Sequence, residues 1–386
     1  MALDDVVFVN NTAETFTPTA SGAIATYIWE CCQALSGRRC FVISRTSAQA
    51  TFDWPHLSLI SPPREVGGRL GSFLTRAQRK TIGWPRQRQR AWSGRVAAEI
   101  VRRSLGDATL VLQNDVETAV FLRKRFPNAR IIHLFQNQQT SKPFFRDRLA
   151  KSADTIAAVS AFTARWVEQY YRLSPGSVKT VLSGVNSDMF RPGDDWRCDS
   201  PPVIGFVGRT GIEKGVDLLL SAAVRLSDTT TDFSIQIVGS NHWDRFEFDA
   251  YQAELQALVE QLRSRQISVV LPGHIGRAEL PHWLQRTSIH VVPSRWDEPF
   301  GLTTLEGMSS GNAIVASRTG GTPEVVGDAG LLFERESSSE LCEHLAWLLD
   351  NPAERERLSV LARQRALTLT WRRTALELIE VNRVGS

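Results

Sequence analysis

The feature that most constrains the fold of this 386-residue chain is an alternation, run twice, of short β-branched runs with amphipathic helical stretches. V-V-F-V-N opens the first series and leads through a loop at Ser21-Gly22 into a helical stretch from Ala23 to Leu35. C-F-V-I-S, T-L-V-L-Q, R-I-I-H-L-F and T-I-A-A-V-S are further strand candidates; F-T-A-R-W-V-E-Q-Y-Y reads as a helix and V-K-T-V-L-S as a strand. Such a series predicts a parallel sheet covered by helices on both faces. R-P-G-D-D-W-R-C-D-S-P-P, residues 191–202, interrupts it with prolines, a glycine and acids, as a linker would. The second series then begins with V-I-G-F-V-G and continues through F-S-I-Q-I-V-G, S-V-V-L-P-G, I-H-V-V-P-S and A-I-V-A-S, with helical stretches between. The expectation is an α/β protein of two Rossmann-like domains, 1–194 and 195–368, with a last segment, 369–386. A chain of this length exceeds what one core usually serves. Ligands of open parallel sheets lie beyond the carboxyl ends of the strands, so two such domains facing each other would enclose a cleft.

Composition narrows the class. No apolar run approaches the ~20 residues a membrane helix needs, and the amino terminus, M-A-L-D-D-V-V-F-V-N, is acidic where a secretory leader would be basic. A cytoplasmic protein is expected on that ground. Five cysteines, without C-x-x-C spacing and with Cys31 and Cys32 adjacent, suit reduced thiols rather than a disulfide framework or zinc site. The net charge of +4 is mild but uneven. Between Arg64 and Arg103, Arg69, Arg76, Arg79, Lys80, Arg86, Arg88, Arg90, Arg95 and Arg102 face only Glu65 and Glu99, interleaved with Phe73, Leu74, Ile82, Trp84 and Trp92. That stretch is either a solvated surface or a peripheral contact with an anionic membrane or acidic acceptor. No nucleic-acid-binding signature is present, so no nucleic-acid partner is expected.

Two stretches carry candidate chemistry. V-I-G-F-V-G-R-T-G-I-E-K-G, residues 203–215, is a strand, a glycine-rich turn with Arg209 and Lys214, and a helix start. Backbone amides and two cations there would suit a phosphate or diphosphate. It lacks G-x-x-x-x-G-K-[ST] and a proper G-x-G-x-x-G, so a plain strand-to-helix turn with surface cations is an open alternative. E-P-F-G-L-T-T-L-E-G-M, residues 298–308, places Glu298 just past a strand end and Glu306 in the next helix. T-T-L-E also fits a capping box, with Thr303 as N-cap, Glu306 reaching back and Gly311 closing the helix. That explanation leaves Glu298 unaccounted for. Two carboxylates beside the amides of Phe300, Gly301 and Leu302 suit a polyhydroxylated anion, with amides on phosphate and carboxylates on vicinal hydroxyls.

The spacing E-x7-E within P-S-R-W-D-E-P-F-G-L-T-T-L-E-G-M-S-S-G, with A-I-V-A-S-R-T-G-G-T-P-E-V-V next in the chain, resembles the signature of family 4 of the retaining glycosyltransferases. Gly22, A-V-S-A-F-T, S-G-V-N-S-D-M-F-R-P, G-R-T-G-I-E-K-G and L-P-G-H-I agree and occur in the expected order. The likeness spans nearly the whole chain, thinly before Asp154. It implies a GT-B fold, two Rossmann-like domains facing across a cleft, the first on the acceptor side and the second holding a nucleotide sugar. The final helix would return to the first domain. It also implies residue roles: Gly208, Arg209 and Lys214 at the donor diphosphate, Glu306 at the ribose, and Glu298 with the amides of Phe300 to Thr303 at the transferred sugar and distal phosphate. His274 and Ile275 would border the base, Gly22 would let a first-domain loop approach the diphosphate, and Arg209, Lys214 and Glu298 would be the catalytic group.

The resemblance thus implies a retaining, metal-independent hexosyltransferase with no cofactor beyond a co-substrate of the UDP or GDP type. Its acceptor would be a glycan, a lipid-linked glycan or a small hydroxylated molecule, and its role cell-surface glycan or glycoconjugate synthesis, at the inner face of the membrane if the basic stretch docks there. Preorganised donors aimed at charge developing on the leaving phosphate contribute about 3 kcal/mol each. One departure stands out. The family commonly carries a histidine after the fourth or fifth strand, whereas here His133 lies inside R-I-I-H-L-F and Phe135, Gln136 or Asn137 occupies the expected place, Gln136 and Asn137 being the candidate sugar contacts. A sugar-nucleotide epimerase or hydrolase of the same fold, or a non-catalytic nucleotide-sugar-binding partner, remains open at this level.

Overall fold

The computed structural model of the protein describes residues 5–11, 14–18, 22–61, 84–193, 201–240 and 250–380, with side chains from residue 89 in the helix that starts at Trp84. The chain divides into two compact units, residues 1–181 with 374–386, and residues 182–373.

The first unit is built on β1 (Val6–Val9), β2 (Cys40–Arg45), β3 (Leu57–Ile60), β4 (Thr109–Gln113), β5 (Arg130–Phe135), β6 (Thr155–Ala158) and β7 (Lys179–Thr180). They form one parallel sheet in the order β3-β2-β1-β4-β5-β6-β7. Every residue of β1 and β4 is buried, which is why these strands read as continuous apolar runs rather than alternating ones. The chain travels from β1 outwards to β3 and then returns to the other side of β1, so a topological switch lies between β1 and β4. Helix Trp84–Arg102 lays Trp92, Val96 and Ile100 against Val7, Ile43 and Leu110. Trp92 is therefore a core residue, 1% exposed, and not part of an aromatic and basic outer face as its sequence setting allowed. Arg102 and Arg103 both pair with Glu99, and the stretch 62–83, which held most of the expected membrane contact, lies outside the described residues. Two short edge strands depart from the sequence reading: β3 was not anticipated, and β7 keeps two residues of V-K-T-V-L-S because only β6 pairs with it.

The second unit carries β8 (Val203–Val207), β9 (Ser234–Val238), β10 (Val269–Gly273), β11 (Ile289–Val292), β12 (Ala313–Ser317) and β13 (Leu331–Phe333), parallel, in the order β10-β9-β8-β11-β12-β13. Its core joins Ile204, Phe206, Leu219, Ile235, Val291, Val315 and Leu345. The switch recurs between β8 and β11, so the loops after these strands converge. The unit begins earlier than the linker composition suggested, because residues before 191 are tied into it. Ser309 Oγ donates to the Phe190 carbonyl at 2.6 Å, and Arg363 donates to the same carbonyl at 2.9 Å and to that of Ser187. Linker residues 194–200 lie outside the described residues.

The last helix, Trp371–Glu380, contributes its residues from Thr374 to the first unit, where Arg130 donates to the Ile379 carbonyl at 2.6 Å. Among the described residues the cysteines are free thiols, and no helix is long and apolar enough to cross a membrane.

Candidate functional site

In the second unit the turn after β8 is clamped onto the loop after β11. The backbone amides of Arg295 and Trp296 donate to the Glu213 carbonyl at 2.9 and 3.0 Å, and the Arg295 guanidinium reaches the Ile212 carbonyl at 2.9 Å. The same guanidinium forks onto both oxygens of Asp217 at 2.6 Å, and Tyr251 donates to Asp217 at 2.6 Å. Burial opposes ionisation of Asp217, but the hydrogen bonds from Arg295 and Tyr251 outweigh it and hold the carboxyl below its usual range. The clamp fixes the short 3-10 turn Ile212–Lys214, and with it the direction of Lys214.

Lys214 Nζ lies 2.5 Å from Glu298 Oε1, which also accepts from Ser294 Oγ at 2.8 Å. Arg209 stands on the same turn, half exposed, and pairs with Glu213 at 3.0 Å. The structure thus brings Lys214 and Glu298 together, while Arg209 reaches outwards beside them. Gly208 precedes Arg209 and donates its amide to the Val238 carbonyl at 3.0 Å.

The stretch after Glu298 is shaped by two left-handed glycines. Gly301, at φ +99, is the N-cap of helix Leu302–Ser309 and has no side chain to satisfy the helix start. Gly320, at φ +54, brings its Cα so close to Glu298 that a Cβ would sit 2.2 Å from the Glu298 carbonyl oxygen. The first amides of an α-helix have no intrahelical partner, so the amino end of Leu302–Ser309 offers N–H groups. Phe300 is buried, Leu302 and Thr303 half-buried. The side-chain oxygens of Thr304 and Thr322 are both buried without a hydrogen-bond partner, and Thr304 Oγ1 lies 3.0 Å from where a Cβ on Gly301 would stand.

The capping-box expectation fails. Thr303 is inside the helix, and Glu306 turns instead to Arg277, with 2.8 Å between Oε1 and Nη1. Glu306 is 3% exposed, so the pair is buried on the carboxylate side. The Arg277 guanidinium also lies over the Phe190 ring, 5.2 Å from its centroid. Gly311 does come after the helix in a left-handed conformation, as expected. His274, exposed, and Ile275, half-buried, occupy the loop after β10 that also carries Arg277.

In the first unit Gly22 is the N-cap of helix Ala23–Ala34, and the space a Cβ would fill is taken by the Glu14 carboxylate, 2.5 Å away. Glu14 accepts from the Ala25 amide at 3.2 Å, and burial raises its pKa despite that bond. The glycine thus makes room for this chain's own carboxylate. Gln136 is nearly buried: its Nε2 donates to Gln113 Oε1 at 2.7 Å and its amide to Asn114 Oδ1 at 2.8 Å. Asn137 is next in the chain. His133 lies fully buried in β5, its pKa lowered to about 3 by desolvation. Helix Val116–Arg125 is capped by Asp115, which accepts from the Thr118 amide at 3.0 Å. Among the described residues no group of three His, Cys, Asp or Glu side chains could hold a metal ion.

Sequence reasoning missed Arg277, Ser294, Thr304, Thr322 and Glu14. Arg277 and Thr322 had a usable signal, since both come just after predicted strand ends. Ser294 had one too, closing the predicted strand I-H-V-V-P-S four residues before Glu298, whereas Glu14 had none, because the fold alone brings it against Gly22.

Residues 196–365 match the family model described as glycosyl transferases group 1. The D-inositol 3-phosphate glycosyltransferase of Corynebacterium glutamicum is 28% identical over 245 residues, covering 60% of this chain and 57% of that protein. D-inositol 3-phosphate glycosyltransferase 1 of Catenulispora acidiphila is 31% identical over 249 residues, again 60% and 57%. The chain therefore matches little more than half the length of these curated relatives. Among solved structures, sucrose-phosphate synthase of Thermosynechococcus elongatus superposes with a TM-score of 0.75 at 19% identity, covering 99% of this chain and 98% of that one. HepE of Anabaena, in complex with UDP and glucose, gives 0.70 at 15% identity over 98% of each chain. Likeness at this level shows the fold, GT-B with two Rossmann-like units.

Proposed function

We propose, from the premise that residues 196–365 form a group 1 glycosyltransferase domain, that the protein transfers a hexosyl group from a nucleotide diphosphate sugar to a hydroxyl acceptor with retention. The observation that carries this reading is the convergence of Lys214, Glu298 and the amino end of helix Leu302–Ser309, where the hydroxyls of Thr304 and Thr322 lack partners. Cations and open N–H groups suit a diphosphate, and carboxylates at either end of the stretch suit hydroxyls. In the reaction the bond from the sugar's C1 to the distal phosphate oxygen breaks, and C1 bonds to the acceptor oxygen on the same face. The acceptor proton goes to the departing phosphate. Arg209 and Lys214 would stabilise the charge growing on that phosphate, and Glu306, oriented by Arg277, would accept from the ribose hydroxyls. By the family resemblance Gln136 and Asn137 stand about where its usual histidine is expected, and on that ground they are the candidate contacts to the transferred sugar.

With two cations serving the diphosphate, transfer is expected to survive chelation of divalent metals. The names of the curated relatives make an inositol phosphate the first acceptor to try, ahead of a growing glycan or a lipid-linked one. The test is a metal-free melting titration with UDP, GDP, ADP and their common hexoses, then product analysis in EDTA. A selective shift that disappears in Glu306→Ala supports the donor site. Glycosidic product of unchanged anomeric configuration supports the transfer. A folded protein that no nucleotide stabilises at millimolar concentration would remove the donor site and the transferase reading with it.

A further inference from the structure

Between β5 and β6 the chain forms the short helix Pro143–Arg146, and its two phenylalanines part ways. Phe145 packs against the first-unit cluster of Val120, Leu149 and Val167, whereas Phe144 stands 52% exposed. Among the described residues no other large apolar side chain between 102 and 193 is exposed. The support beneath the ring is well tied. Tyr170 donates to the Ser141 carbonyl at 2.7 Å and accepts from the Ser141 amide at 3.2 Å, and Tyr171 donates to the Gln139 carbonyl at 2.8 Å. The Tyr170 ring in turn stacks on Trp166, 5.0 Å between centroids. Phe144 is thus presented to water by a braced segment, at a hydration cost that the fold does not recover.

The charge around that ring is one-sided. Arg148 donates to the Phe144 carbonyl at 2.9 Å and lays its guanidinium over the ring, 3.7 Å from the centroid. Asp147 pairs with Arg146 at 2.9 Å, and that hydrogen bond, with the nearby charges of Arg172 and Arg148, holds its carboxyl below the usual range. Three guanidiniums therefore gather at one carboxylate. Residues 142–172 hold six cations, Lys142, Arg146, Arg148, Lys151, Arg165 and Arg172, against three acids. The other two acids are committed elsewhere: Asp154 to Arg123 and the Ile131 amide, Glu168 to the Val178 amide at 3.0 Å. The surplus positive charge is left facing solvent, since Arg148, Lys151 and Arg172 are exposed.

We propose that Phe144, with Arg148, Arg172 and Lys151 about it, docks the first unit onto the surface of an anionic phospholipid bilayer. The head-group region takes a single aromatic ring at its apolar boundary while arginines and lysines meet the lipid phosphates, so one ring among cations suffices there. A protein partner of ordinary affinity needs roughly 1,000 Å² of buried surface with several apolar anchors at its centre, and this patch offers one. A single-stranded nucleic acid would stack its bases on open aromatic faces, but one face of Phe144 is already covered by Arg148. Such docking is weak, reversible and salt-sensitive, because few charges carry it and each is screened. The proposal goes beyond the glycosyl-transfer reading and does not depend on it.

The full chain is co-sedimented with unilamellar vesicles of phosphatidylcholine alone and of phosphatidylcholine mixed with phosphatidylglycerol, at low and at physiological salt. The wild type is expected to partition onto the mixed vesicles only, and less so as salt rises. Phe144→Ser should lower the partition coefficient roughly tenfold, the loss of about half a buried aromatic side chain, while Phe144→Trp should keep it. Arg172→Gly should lower it about fivefold at low salt, one cation near the surface. Phe144→Ser should melt with the wild type because the side chain is exposed, and Arg172→Gly no lower, because glycine suits the φ of +57 at that position. A wild type that stays in the supernatant with both vesicles overturns the proposal. So does vesicle binding that Phe144→Ser and Arg172→Gly leave unchanged, which would put the contact on another surface. Polyglutamate and a single-stranded oligonucleotide are titrated in parallel. Affinity for either that both variants lose, without vesicle binding, assigns the patch to an acidic protein or a nucleic acid and overturns the membrane assignment. The melting shift given by UDP is read separately, so failure here and failure of the transferase reading are distinct.

Discussion

Replacing Lys214 with Met tests whether the cation serves the leaving phosphate or only neutralises Glu298. Lys214 Nζ lies 2.5 Å from Glu298 Oε1, with 21% and 13% of the two side chains exposed. Removing the ammonium strands a largely buried carboxylate that keeps one donor, Ser294 Oγ at 2.8 Å. The expected stability cost is that of an unsatisfied charged partner softened by this donor, about 2 kcal/mol. For a domain of this size that is roughly 4–8 °C in Tm. The catalytic cost is separate. One preorganised donor aimed at developing charge contributes roughly 2.7–4 kcal/mol, which at about 1.4 kcal/mol per decade is a loss of roughly a hundredfold to several hundredfold in kcat. The double variant Lys214→Met with Glu298→Gln removes both charges and should recover most of the lost Tm, while kcat stays down. Melting curves and initial rates at saturating donor read both quantities. A double variant that regains the turnover of Glu298→Gln alone would refute the argument, since Lys214 would then matter only to its carboxylate.

Particular contacts set three further expected outcomes. Arg277→Ala should raise the nucleotide Kd roughly tenfold with kcat changed far less, because Glu306 then loses the 2.8 Å contact that orients it; calorimetric titration with the cognate nucleoside diphosphate checks this. Gly307→Ala would place a Cβ 2.7 Å from Cδ2 of the fully buried His290, and urea denaturation should show a loss of about 1–3 kcal/mol in the second unit. Burial lowers the pKa of His133 to about 3 and of His290 to about 4, so both are neutral when folded and take up protons near pH 6.5 only when unfolded. The stability linked to that difference is complete above pH 6.5 and is lost as pH falls towards 4 and 3, about 2 kcal/mol for each histidine at pH 5. Denaturation between pH 8 and 5 should show the loss, and His290→Asn should flatten it for the second unit.

Much of the architecture was legible because it is local. Strands β1, β4, β8, β11 and β12 declare themselves as short apolar runs, since parallel strands buried on both faces need no alternation. The edge strands β3 and β13 did not, being short segments of four and three residues, while β7 was legible in V-K-T-V-L-S and only its extent was not. The turn bearing Lys214 and the stretch from Glu298 to Glu306 were readable for a similar reason. Glycines, acids and a helix start stand within a few residues of one another, and their spacing carries the resemblance.

What the sequence by itself determined is therefore the set of strand-end loops and the residue types presented there. The tertiary structure decided the partners. T-T-L-E is compatible with a capping box, but a capping bond to a backbone amide competed with a guanidinium from the loop after β10, and charge pairing in a buried setting took Glu306. Gly22 signals close approach without naming what approaches; in the folded chain it is the carboxylate of Glu14. Gln113, Asn114 and Asn137 are ordinary polar residues in sequence, and only the pairing of β4 with β5 leaves their amides buried and incomplete together. Local conformation depends on neighbours along the chain and can be read there. Hydrogen-bond satisfaction depends on which distant groups the packing brings within about 3 Å, and no local pattern encodes that.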